Sequence, residues 1–91
     1  MQTHSSELIS TLSTVRDYIR WAASRFSHAQ LYFGHGSPTA LDEAAALVLH
    51  TLHLPYNLSD AYFSAVLTLE ERNAIVALAD RRVNERIPAD I

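Results

Sequence analysis

Cysteine and lysine are both missing from this chain of 91 residues, and glycine occurs only at Gly34 and Gly36. Without cysteine there is no disulfide framework and no thiolate metal site. Two glycines flanking one histidine build neither a phosphate-cradling loop nor the GxGxxG turn of a dinucleotide fold. Every cation among the 7 Lys+Arg is therefore an arginine, and against 10 acidic residues the net charge is −3. A nucleic-acid binder replaces counterions with a strongly basic surface, and no such surplus exists here. A basic partner suits the sign better. No apolar run approaches bilayer length, and residues 1–6 lack the basic start and apolar stretch of a secretory signal. A cytosolic protein without a membrane segment is the expectation.

What is present is ordinary globular composition, 48% hydrophobic and 19% charged. The length makes a single domain over residues 1–91, able to bury roughly two-thirds of the surface its unfolded form exposes. Over residues 6–26 the apolar positions Leu8, Leu12, Val15, Ile19, Ala22 and Phe26 recur in steps of four and three. That spacing predicts one long helix with an apolar stripe, and it leaves Arg16, Asp17, Arg20 and Arg25 on the solvated side. The Gly34-His35-Gly36 turn and Pro38 interrupt helix. A second helix is expected from Thr39 to about Leu54, with Asp42 and Glu43 in its first turn complementing the helix dipole. Pro55 closes it.

A short helix around residues 60–66 follows, with Ser59 as its N-cap. Thr68-Leu69-Glu70-Glu71 reads as a capping box, and the apolar spacing Ile75, Ala79, Val83, Ile87 extends the last helix to Pro88. No stretch alternates in the manner of a strand. The fold expected is all-α, a small antiparallel bundle of about four to five helices.

Candidate chemistry is sparse. Among 5 histidines, His50 and His53 share a helix face, and His28 and His35 lie nearby in sequence. Zinc sites want three or four ligands at firm spacing, usually with cysteine or carboxylate among them, and no HExxH pattern occurs. These read as surface or part-buried histidines. No serine sits in a GxSxG elbow. Neighbouring carboxylates, Asp42-Glu43 and Glu70-Glu71, are accounted for as helix openers. No catalytic, cofactor-binding or metal residue is assigned. Arg81, Arg82 and Arg86 cluster near the end of the last helix with Glu85 in helical reach of Arg81 and Arg82, which gives them a structural role. Arg82 and Arg86, aligned at four-residue spacing, are also docking candidates. Trp21, Tyr18, Tyr32 and Phe33 form an aromatic group, mostly for the core. A part-exposed member would mark a contact surface, so Trp21 and His35 join the docking candidates.

Three segments carry a resemblance. They are Arg20-Trp21-Ala22-Ala23-Ser24-Arg25-Phe26-Ser27, then Tyr32-Phe33-Gly34-His35-Gly36, then Arg81-Arg82-Val83-Asn84-Glu85-Arg86-Ile87-Pro88. In this order the chain resembles the amino-terminal region of the PrmB family of bacterial glutamine methyltransferases. The resemblance runs from about Val15 to Pro88, with Leu41-Asp42-Glu43-Ala44 and Leu52-His53-Leu54-Pro55 fitting between. It implies a helical amino-terminal domain ahead of a Rossmann-like catalytic domain. That domain binds S-adenosylmethionine, carries an Asn-Pro-Pro-Tyr motif and methylates a glutamine amide of ribosomal protein L-three. Neither the motif nor a glycine-rich loop occurs in these residues, and Ala89-Asp90-Ile91 departs from the tyrosine that usually follows the family's proline. The chain is thus expected to be non-catalytic and to bind no cofactor itself. Its expected partners are ribosomal protein L-three as substrate and its own catalytic domain in cis, with no direct DNA binding. The alternatives are the sister release-factor methyltransferase, which shares the arginine pair and following proline, and a free-standing helical protein-binding or DNA-binding adaptor.

Overall fold

A computed structural model describes residues 3–29 and 39–85. They form four α-helices and one 3-10 turn: α1 Thr3–Thr11, α2 Val15–His28, α3 Ala40–Thr51, the 3-10 turn Asp60–Ser64, and α4 Leu69–Glu85. The architecture is all-α, and an isolated bridge between Thr14 and Val66 is the extended pairing among the described residues.

Helix α2 is the centre of the bundle. It packs chiefly against α3, and α4 closes the core against both, while α1 lies on α4 and the 3-10 turn on α2. The stripe read from sequence faces inward: Val15, Tyr18, Ile19, Ala22 and Phe26 are all buried. They meet Ala44, Leu47, Val48 and Leu49 of α3 and Ile75, Val76 and Ala79 of α4. Each aliphatic side chain as fully buried as Leu47 or Ile75 contributes on the order of 1.5–3 kcal/mol relative to exposure.

The predicted single helix over residues 6–26 is two helices. The apolar period runs unbroken through the joint, so it gives no sign of a stop. The break comes from polar chemistry: Thr14 is the N-cap of α2 in a capping box with Asp17. The Asp17 backbone N–H donates to Thr14 Oγ1, and the N–H groups of Ser13 and Thr14 donate to Asp17 Oδ2 at 3.0 and 3.1 Å. Asp17, read as merely solvated, thereby satisfies two donors that a helix start leaves unpaired. Those two N–H groups hold the Asp17 carboxyl below its usual pKa, because they favour the charged form.

The remaining polar groups of the joint are also satisfied. The Leu12 carbonyl accepts from the Tyr18 hydroxyl at 2.9 Å and the Ile9 carbonyl from Arg72 Nη1 at 2.9 Å. The Ser13 carbonyl accepts from the Leu67 N–H, and the Val15 N–H donates to the Ala65 carbonyl. Burial pushes the Tyr18 phenol up in pKa.

Helix α3 begins as expected, with Thr39 capping the Asp42 N–H, but it ends at Thr51 rather than near Leu54. Beyond the C-cap Leu52, His53 takes φ 60°. The His53 N–H donates to the His50 carbonyl and the Leu54 N–H to the Leu49 carbonyl. This is a Schellman closure, with histidine in the left-handed position that usually holds glycine. The short helix expected to reach Val66 stops at Ser64 and is 3-10, since Ala65 to Leu67 are committed to the joint before α2. The capping box of α4 is as read: Thr68 and Glu71 exchange side-chain to backbone bonds at 2.9 and 3.1 Å. The part of the last helix expected beyond Glu85 lies outside the described residues.

Candidate docking surface

Arg82 and Glu43 set the limits on which surfaces are available. Arg82 Nε donates to Glu43 Oε2 at 2.8 Å, and each residue is only 4% exposed. The guanidinium carbon lies 6.0 Å from the centre of the Phe26 ring, so the cation also rests on an aromatic face. One reading is corrected here and one extended. Arg82 is placed inside the bundle, where its guanidinium serves the α3–α4 contact. Glu43 stands in the first turn of α3 as expected and is in addition a buried counter-ion, 39 residues away from its arginine. Arg25, read as solvated, is half-buried and pairs with Asp80 of α4 at 2.8 Å.

Of the other docking candidates, Trp21 is half-buried and meets Tyr18 edge to face, the ring centres 6.3 Å apart at 72°. Tyr18 belongs wholly to the core, whereas Trp21 is only partly buried. His35 and Arg86 lie outside the described residues. Of the histidines, His28, His50 and His53 are exposed. Among the described residues no group of three His, Cys, Asp or Glu is placed to hold a metal ion.

The surface that sequence reasoning missed is an open cleft of about 460 Å³ between α2, α3 and the 3-10 turn. Ile19 and Ala45 belong to its helical walls, Phe63 comes from the 3-10 turn, and Leu41 stands at the mouth, 58% exposed. Arg16 and Arg20 rim the α2 side and Asp42 the α3 side. Arg16 and Arg20 are one helical turn apart and so share a face. The sequence signal was this four-residue spacing beside Ile19, passed over because arginines off an apolar stripe have a sufficient explanation as solvated residues. Chemically the cleft offers apolar area from Ile19, Leu41, Ala45 and Phe63 and cationic donors from Arg16 and Arg20.

Among the described residues no helix is long and apolar enough to cross a membrane. No family model and no solved structure matches the chain. Curated relatives do. The chain is 54% identical over 76 residues to the ribosomal protein uL3 glutamine methyltransferase of Burkholderia pseudomallei, a match covering 84% of this chain and 25% of that protein. The protein of the same name from Xanthomonas campestris is 53% identical over 78 residues, covering 86% and 25%. That of Neisseria meningitidis serogroup B is 49% identical over 78 residues, covering 86% and 26%. The chain spans about a quarter of the length of the curated relatives it matches, their amino-terminal part. Over that stretch the chain is a homologue, at about half identity, of the amino-terminal quarter of the ribosomal protein uL3 glutamine methyltransferases.

Proposed function

We propose that this chain is the helical, substrate-recognising part of an enzyme that methylates a glutamine side-chain amide of ribosomal protein uL3. The observation that carries the reading is the match at about half identity, across most of the chain, to the amino-terminal quarter of proteins bearing that activity in their name. The residue content fits a division of labour. Gly34 and Gly36 are the only glycines, too few for a cofactor loop, and no Asn-Pro-Pro-Tyr occurs. S-adenosylmethionine is therefore held, and the methyl group transferred, by the remainder of the enzyme. These residues supply rigid surface, and the partly exposed Trp21 lies on the part of it that meets the client. The enzyme works in the cytoplasm, where uL3 is made.

The test replaces the amino-terminal quarter of the Burkholderia relative with these residues. Methyl transfer from S-adenosylmethionine is then assayed on uL3 and, separately, on a release factor. Methylation of uL3 is expected. Transfer to the release factor alone would overturn the client, and undiminished uL3 methylation by the enzyme with its helical part deleted would overturn the recognition role.

A further inference from the structure

The α2–α3 cleft combines three properties. Its lining is overwhelmingly apolar, from Ile19, Leu41, Ala45 and Phe63. Its rim carries two guanidiniums against one carboxylate, on a chain whose net charge is −3. Neither Arg16 nor Arg20 takes part in the salt bridges of the described residues, unlike Arg25 and Arg82. An exposed leucine over an apolar floor calls for an apolar anchor, and paired arginines call for a carboxylate, which the planar guanidinium holds bidentately.

We infer that this cleft seats a short acidic segment of the enzyme's own remaining chain, one apolar side chain on the floor and a carboxylate between Arg16 and Arg20. The inference rests on reading these residues as one part of a larger methyltransferase. Two features favour an occupant in cis. A stable contact between separate proteins engages about 20–30 residues a side, far more than the seven that line this cleft. A covalently joined segment needs much less, because the tether supplies an effective concentration in the mM range. The sign of the rim agrees. The chain as a whole suits a cationic client, and these two arginines repel one. Nucleic acid would satisfy the arginines but leave the apolar floor in water.

The absence of cysteine makes the test direct. In the full-length chimaera described above, Leu41→Cys, and separately Asp42→Cys, puts the sole thiol of this part at the cleft mouth. Its maleimide labelling rate is read peptide by peptide by mass spectrometry. Tyr56→Cys, at a position 75% exposed, is the reference. The expected result is slow labelling at position 41 or 42 without any client, accelerated about tenfold by Arg16→Glu with Arg20→Glu, the loss of one charge-assisted contact. The milder Arg16→Gln with Arg20→Gln pair moves it the same way, and Tyr56→Cys labels at one rate throughout. Fast labelling in the otherwise unchanged enzyme overturns the inference, as does protection that appears only when uL3 or RNA is added. Failure here leaves uL3 methylation by the chimaera intact, so the two readings fail separately.

Discussion

Arg82 of α4 donates its Nε–H to Glu43 of α3 at 2.8 Å in the interior, and the two residues are 39 positions apart in sequence. Removing either partner takes from the other its 2.8 Å ion pair in the interior, whereas removing both also removes the buried charges. Glu43→Gln or Arg82→Met alone is expected to cost about 3–5 kcal/mol, and Glu43→Leu with Arg82→Met to recover most of that loss. Urea denaturation of the two single variants and the double variant measures the coupling. Equal losses that simply add would mean the pair is not the α3–α4 tie.

The joint before α2 predicts a pH dependence. Asp17 has a folded pKa below its usual value because it accepts from the Ser13 and Thr14 N–H groups. Its contribution is therefore present above the unfolded carboxylate pKa and is lost as pH falls through the lowered folded value. Thr14→Ala is expected to cost about 1 kcal/mol at neutral pH. Asp17→Asn removes part of the acid-side decline seen when stability is followed from pH 7 downward.

His53 holds a left-handed conformation at φ 60° to close α3. An L-residue with a side chain pays about 1–2 kcal/mol there, part of which glycine returns through its looser unfolded state. His53→Gly is expected to raise the melting temperature by a few degrees, corresponding to roughly 1 kcal/mol. His53→Val, β-branched in the same position, is expected to lower it.

Arg72 spans from α4 to two carbonyls, Ile9 in α1 through Nη1 and Leu67 through Nε. Arg72→Leu keeps aliphatic packing and removes both bonds. Hydrogen exchange should then rise at the α1 amides while the α2–α3 amides stay protected. Uniform acceleration across all helices would show instead that α1 is an integral part of the cooperative unit.

The parts of this fold that were legible in the sequence are those set by local rules. The buried face of α2, the Thr39 and Thr68 helix starts and the strand-free composition follow from periodicity and capping, which act over a few residues. The break between α1 and α2 obeys a local rule too, Thr14 three residues before Asp17, but the unbroken Leu8, Leu12, Val15 spacing outweighed it. Other features depend on the assembled bundle. Nothing near Glu43 or Arg82 announces the other, and each has an adequate explanation on its own helix. The cleft is likewise a product of packing, since Ile19, Leu41 and Phe63 come from three separate elements. Of the docking candidates read from sequence, Trp21 is the described one that keeps surface.

The bonds from Leu67 to Ser13 and from Val15 to Ala65 also bear on the order in which the chain folds. They close a ring whose circumference is α2, α3 and the 3-10 turn. Closing a ring of that length carries a long-loop entropy cost, so closure is expected on the late side of the folding barrier. A chain stalled before the Ser13–Leu67 clasp leaves the cap of α2 without its outer partner, and that half-made state is expected to be the one a protease cuts first.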